Sequence, residues 1–366
     1  MSRWLSKTLR EVVSISKERL EPSDYADKEF FYLGLEDIES HRGGLLKNTL
    51  TRGRDILSTK NIFHAGQILY GKLRPYLNKV HLAQRDGICS TDICVLVCKR
   101  ETVLPEYVTY YLRSPAVARR LTGLVGGAHL PRVNERDLLG LPIEIPPFSE
   151  QERIVWILNE SDQLRRLRVE ADSHTTALTP ALFQEIFGDP ATNPKSLRKE
   201  KLGNVLRVRS GNFLPANAMD QNGSRPVYGG NGISGYHSSY MFENPVIVIG
   251  RVGFYCGVVH YTEPKSWVTD NALYVAEKTE ELEDAYLTSA LRFANLHQYS
   301  GQAAQPLISA GRIYPVEILV PPLSLQREYV RRVTEVGALE MEQRVSRGRL
   351  EDLFQSLLYR TFQGEL

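Results

Sequence analysis

The nine residues Ile143-Glu144-Ile145-Pro146-Pro147-Phe148-Ser149-Glu150-Gln151 return 175 positions later as Ile318-Leu319-Val320-Pro321-Pro322-Leu323-Ser324-Leu325-Gln326. The match runs on without a gap: Leu182 pairs with Leu357, and Phe187 with Phe362, so each segment runs 39 residues from the serine to the final phenylalanine. Recurrence of a common strand–Pro-Pro–helix junction is the competing explanation, and a long match at one offset disfavours it. The chain is therefore built twice on one plan.

Each copy reads as a strand, a stop and a long helix. Proline cannot donate to a ladder and restrains its neighbour, so Pro-Pro ends the strand. Ser149 is the expected N-cap, with Glu152 completing an S-x-x-E capping box; Ser324 begins the second helix, where Arg327 leaves the box incomplete. Apolar residues recur at three-to-four spacing: Ile154, Ile157, Leu164, Leu167, Ala171, Leu178, Leu182 and Ile186, then Val330, Val333, Val336, Leu339, Leu350, Leu353 and Leu357. The near-heptad spacing suits a packed helix pair. Pro180 and Gly337 interrupt it, predicting kinks or frayed turns there. At about 1.5 Å per residue each helix would run roughly 55–60 Å, the length of a spacer.

With 366 residues the chain exceeds one ordinary core, so two domains are expected. The β-rich blocks 1–148 and 191–322 fill that role, with helices over 149–190 and 323–366. The blocks resemble each other: Gln67-Ile68-Leu69-Tyr70-Gly71-Lys72-Leu73 matches Val246-Ile247-Val248-Ile249-Gly250-Arg251-Val252. Ser90-Thr91-Asp92 aligns with Val268-Thr269-Asp270 at offset 178, and Tyr107 with Tyr286 at 179. They share a plan but drift in register, as two modules with different ligands would. Apolar runs such as Val246–Ile249 are too short to cross a membrane, and the N-terminus lacks a signal-peptide core, so a cytoplasmic protein is expected. Cys89, Cys94, Cys98 and Cys256 form no CxxC pair and read as small buried hydrophobes. The net charge of +2 conceals a weakly basic first block, compatible with nucleic-acid binding without establishing it.

The whole pattern resembles the specificity subunit of type I restriction–modification systems. The family-like strings are Arg225-Pro226-Val227-Tyr228-Gly229-Gly230-Asn231-Gly232-Ile233-Ser234-Gly235-Tyr236-His237, Pro245–Gly253 and Pro321–Gln326, in that order. The first block has no Tyr-Gly-Gly-Asn-Gly string. The resemblance implies an α+β chain: two β-rich target-recognition domains in pseudo-repeat, linked by two long antiparallel helices as a coiled-coil spacer. It implies that each domain reads one half of a split, asymmetric site in double-stranded DNA. The helices set the gap and recruit two methyltransferase subunits, and restriction subunits join through the complex. No cofactor is expected on this chain: S-adenosylmethionine belongs to the methyltransferase partner, ATP and Mg to the restriction partner.

The rival, a self-contained DNA methyltransferase or nuclease, meets failed motifs. Tyr228-Gly229-Gly230-Asn231-Gly232 has the spacing of a cofactor loop but runs into Ile233-Ser234-Gly235, which favours another turn over a helix. Ile145-Pro146-Pro147-Phe148 imitates an adenine-methyltransferase signature whose first side chain must hydrogen-bond, which isoleucine cannot. Glu263-Pro264-Lys265 breaks the strand a nuclease motif needs. Gly71-Lys72-Leu73 is no phosphate loop, and Asp92 and Asp270 read as turn residues. A scaffold that uses its helices only for assembly is the remaining alternative.

Reading DNA needs Arg or Lys for guanine edges and phosphates, and Asn or Gln for adenine. The candidate contacts in the first block are Lys72, Arg74, Tyr76, Asn78, Lys79, His129, Arg132, Asn134 and Arg136. In the second they are Arg207, Arg209, Asn212, Tyr228, Gly230, Asn231, His237, Arg251, Gln302 and Gln305, with Gly229, Gly230 and Gly232 allowing close main-chain approach. For any one of them an ordinary solvated surface role is the competing reading.

Overall fold

The computed structural model describes residues 4–47, 49–125, 130–220, 222–301, 306–363 and 365. The chain divides into two compact units, residues 1–169 with 345–366, and residues 170–344.

In the first unit, Leu5–Thr8 pairs antiparallel with Pro142–Ile145, the strand that delivers the chain to Pro146-Pro147. A four-stranded sheet follows in the order Val13–Ile15, Ile93–Cys98, Ile68–Gly71, Val80–Leu82. Its central strand, Ile-Cys-Val-Leu-Val-Cys, is the apolar run expected of a strand buried on both faces. Proline opens the helix Pro105–Arg113, where a missing N–H costs nothing. Ser114 ends that helix and caps the next, Pro115–Leu124, by accepting from Val117 N. A five-stranded sheet orders Arg19–Leu20, Lys60–Phe63, Gly87–Cys89, Glu29–Leu33 and Leu50–Arg52.

The second unit repeats this frame. Lys199–Lys201 pairs with Glu317–Leu319, and a four-stranded sheet runs Leu206–Ser210, Ala272–Lys278, Ile247–Gly250, Val259–Tyr261. The helix Asp284–Phe293 stands where Pro105–Arg113 stands in the first unit. The added sheet is smaller, three strands ordered Gly232–His237, Arg225–Gly229, Trp267–Val268.

The long helices run Phe148–Phe187 and Leu323–Gln363. Within the first unit Arg165 Nη2 lies 2.7 Å from Glu351 Oε2, and its guanidinium sits 4.0 Å from the Phe354 ring centroid. Within the second unit Gln343 donates to Thr175 at 2.8 Å, and Arg332 meets Glu185 at 3.3 Å. The helix segments of the second unit thus run antiparallel, as the resemblance implied. Their ends enter the cores: Phe362 packs on Tyr107 and Tyr111, and Phe187 on Tyr286 and Tyr329. Phe187 and Phe362 are partners in the 175-residue repeat, which explains why it persists so far from the Pro-Pro.

Three local expectations are corrected. The helices begin at Phe148 and Leu323, one residue before the serines, and Pro147 O accepts from Glu150 N and Gln151 N at 2.9 and 3.0 Å. Pro322 O accepts from Leu325 N and Gln326 N in the same way, so prolines rather than serines close both starts. Glu150, not Glu152, forms the local pair, with Arg153 at 2.7 Å. Second, helical structure continues through Pro180 and Gly337 without a frayed turn, because the helices are anchored by buried residues beside them, Phe183 and Val336. Third, Ile93 pairs with Gly71 and Ala272 with Gly250, so Asp92 corresponds to Asn271 at offset 179, not to Asp270. Strand register decides this, because a one-residue slip would turn every side chain to the other face.

Cys89, Cys94 and Cys256 are buried and Cys98 half-buried, all as free thiols; burial pushes Cys94 up to about 11 and Cys89 up to about 12. Among the described residues, no helix is long and apolar enough to cross a membrane.

Candidate nucleic-acid interface

In the first unit, residues 72–78 leave the strand Ile68–Gly71 and turn back to the strand Val80–Leu82. Arg74 and Asn78 both take the left-handed conformation (φ 51° and 44°) around the turn Pro75–Leu77. The loop is pinned from two sides. Lys72 N donates to Asp92 O at 2.8 Å, Arg74 N to Pro131 O at 2.8 Å, and Val133 N to Lys72 O at 2.9 Å. Leu73 forms a bridge with Arg132, whose guanidinium pairs with the Asp92 carboxylate. Lys72, Arg74, Tyr76 and Arg132 are therefore gathered on one loop cluster, with Tyr76 and Arg132 exposed.

The second unit builds the same cluster. Arg251 N donates to Asn271 O at 3.0 Å, Gly253 N to Pro306 O at 2.9 Å, and Ile308 N to Arg251 O at 2.9 Å; Val252 bridges to Leu307. Gly257 holds the left-handed place of Asn78, and a Cβ there would lie 2.4 Å from His297 N, so only glycine fits. Arg251 Nη1 donates to Ser210 Oγ at 3.0 Å and reaches Asp270 O at 3.4 Å, which fixes the guanidinium beside the end of the strand Leu206–Ser210. The hairpin turn Gly230-Asn231 closes against this loop: a Cβ on Gly250 would sit 2.6 Å from Gly230 O and 2.2 Å from Tyr255 O. Asn231 is exposed at that turn.

Several expected contacts serve the fold instead. Asn78 is 5% exposed and donates to Arg113 O at 2.7 Å; Tyr228 is 5% exposed, and its hydroxyl accepts from Glu263 N at 3.1 Å. Both are corrected to structural positions, since neither side chain faces solvent. Lys79 Nζ caps Leu35 O at 2.6 Å, and Asn134 is the N-cap of Glu135–Leu139, accepting from Asp137 N at 2.8 Å. Arg207 turns back onto the carbonyls of Gly203 and Leu206, toward the opposite end of its strand from Ser210. Arg209 pairs with Glu277 at 3.1 Å, and Arg136 is exposed on Glu135–Leu139. His237 is half-buried, edge-on to Trp267 at 5.6 Å, while Asn212 O accepts from Trp267 Nε1. His129, Gln302 and Gln305 lie outside the described residues.

Residues 1–170 and 194–346 match the family described as type I restriction modification DNA specificity domain. The chain belongs to this family. Among relatives of this DNA specificity family, the EcoDI specificity subunit of Escherichia coli is 30% identical over 190 residues, 51% of this chain and 42% of that one. The EcoprrI subunit of the same organism is 27% identical over 133 residues and is covered over 33% of its length. The chain thus spans less than half of these two relatives. The StySPI subunit of Salmonella potsdam is 25% identical over 320 residues, 75% of this chain and 68% of that one. A solved chain from work on complex assembly and conformational transition of the type I R-M system shares the fold at TM-score 0.66 and 23% identity, covering 100% and 99% of the two chains. The type I S subunit of M. genitalium does so at 0.63 and 17%, covering 98% and 96%.

The strings that imitate catalytic motifs have ordinary places in this DNA specificity fold. Tyr228–Gly232 is a hairpin between Arg225–Gly229 and Gly232–His237, and no helix opens from it. Lys265 lies outside any strand at φ 56°, 3.5 Å from Glu243. Among the described residues, no group of three or more His, Cys, Asp or Glu could hold a metal ion.

Exposed aromatics also mark the second unit, outside the contacts expected from the sequence: Phe213 is 72%, Phe254 85% and Tyr255 43% exposed. Large apolar side chains beside Gly211 and Gly253, outside any strand period, were the signal available for them.

Proposed function

We propose that this chain is the DNA-reading subunit of a type I restriction–modification complex, each unit recognising one half of an asymmetric bipartite site in double-stranded DNA. One observation carries the reading: the two units present the same loop cluster on the same sheet frame with different side chains. Lys72, Arg74, Tyr76 and Arg132 in the first are replaced by Arg251, Gly253, Tyr255 and Leu307 in the second. One frame with two surfaces suits two different half-sites. Cations supply the phosphate contacts that position a reader, and the side chains between them supply the base contacts that specify.

In this reading the antiparallel helix segments set the unread gap and recruit two methyltransferase subunits, through which restriction subunits join, in the cytoplasm. The chain binds no cofactor of its own: S-adenosylmethionine sits in the methyltransferase partner, ATP and Mg in the restriction partner. The test is selection from a pool of random duplexes by the chain assembled with its methyltransferase partner, beside the purified chain alone. The assembly should enrich one bipartite sequence, and the chain alone should neither methylate nor cut it. Turnover that follows the chain through purification and dies with a point mutation in it would overturn the reading.

A further inference from the structure

We propose that Phe254 enters the base stack of the half-site read by the second unit, an apolar wedge that helps specify one base step. The inference rests on the DNA reading above. Phe254 is 85% exposed, the highest value for any large apolar side chain among the described residues. Single exposed hydrophobics are ordinary on a surface; several drawn onto one cluster mark an interaction site. Tyr255 packs edge-on to Phe254 at 5.2 Å, Leu307 is 41% exposed on the bridge to Val252, and Phe213 lies three residues beyond Ser210, which holds Arg251.

The ring is carried on a constrained support. Cys256 N donates to Gly253 O at 3.1 Å, Val258 N to Tyr255 O at 3.2 Å, Gly257 N to Gly250 O at 2.8 Å, and Gly253 itself is tied to Pro306 O. A loop tied in this way holds the Phe254 backbone in place before any partner is met. The matched position in the first unit is Pro75, which is buried, on a loop that instead carries the cations Lys72 and Arg74, with Arg132 bridged to Leu73. Arg251 on the same loop and the cationic matched cluster favour a nucleic acid over a protein surface, because phosphates require cations and bases offer faces on which a ring stacks.

The test uses the full chain with its methyltransferase partner, on a duplex carrying the sequence found methylated in a host expressing both, with 2-aminopurine placed in turn at each position of both half-sites. Beyond the bases that the methyltransferase itself takes out of the stack, wild type should raise fluorescence at one step of the second unit's half-site, and Phe254→Ala should abolish that rise alone. Affinity should fall about tenfold to a hundredfold with an unchanged salt slope. Phe254→Trp should retain both signals, while Arg251→Ala should instead make the salt slope shallower. Unchanged affinity and fluorescence in Phe254→Ala would overturn the wedge. So would lost assembly with the methyltransferase alongside intact DNA selection, which would make Phe254 a protein contact. A wild-type complex that selects no duplex would overturn the DNA reading itself.

Discussion

The side-chain carbonyl of Gln151 accepts a hydrogen bond from the Leu104 amide at 2.8 Å, across 47 residues of sequence. Its amide donates to Pro146 O at 2.9 Å and Thr102 O at 3.2 Å, and the residue is fully buried. Gln326 repeats the arrangement with Glu283 N at 2.9 Å, Pro321 O at 2.8 Å and Glu281 O at 2.8 Å. One glutamine in each unit therefore ties the start of a long helix to the loop that opens the helix carrying Tyr107 or Tyr286.

Replacing Gln151 with leucine would leave a buried amide and two carbonyls without partners, at a cost of about 3 kcal/mol to the first unit. Gln326→Leu should do the same to the second. Chemical denaturation checks this: each variant should shift the transition of its own unit. A loss below about 0.5 kcal/mol would show that water takes over these bonds.

Arg165 is 6% exposed and holds both Asp162, at 3.2 Å, and Glu351. Arg165→Ala should destabilise the first unit by about 3 kcal/mol, because it leaves buried Asp162, among the described residues, with the exposed Arg166 as its remaining ion-pair partner. Replacing Arg165 with methionine and Asp162 with leucine together should cost much less, since apolar packing often substitutes for a buried ion pair. Equal losses in the single and double variants, measured by denaturation, would contradict this.

The duplication was legible in the sequence because identical junctions need identical residues: Pro146, Pro147 and Gln151 make contacts that tolerate little else. The loop clusters were only partly legible. Lys72, Arg74, Arg132, Asn231 and Arg251 were drawn from residue type, and the structure gathers each on its own unit's loops. Asn78 looked equally suitable, yet its left-handed φ and its bond to Arg113 O bury it, and neither is visible in composition. Arg207 stays exposed but is turned back on the carbonyls of Gly203 and Leu206, which composition does not show either. Phe254 is not legible as a surface residue, because a phenylalanine ordinarily reads as core.

His64 stands between Asp86, at 3.2 Å, and Glu18, at 3.3 Å, and its hydrogen bond with Asp86, then that with Glu18, raises its pKa. A raised folded value means this contribution is fully present below the unfolded value, roughly pH 6.5. It is lost as pH rises through the folded value. The group is half exposed, so the effect stays under about 1 kcal/mol. Between roughly pH 6 and pH 8 the melting temperature should fall more for wild type than for His64→Gln. Parallel curves for the two proteins would show that the cluster contributes nothing.

The central claim, two different readers on one repeated frame, meets its most direct test in methylome sequencing of a host that expresses this chain with its methyltransferase partner. The account predicts methylation at one motif of two unlike, short defined segments separated by a fixed run of undefined base pairs. Methylation at a continuous or symmetric motif would contradict it.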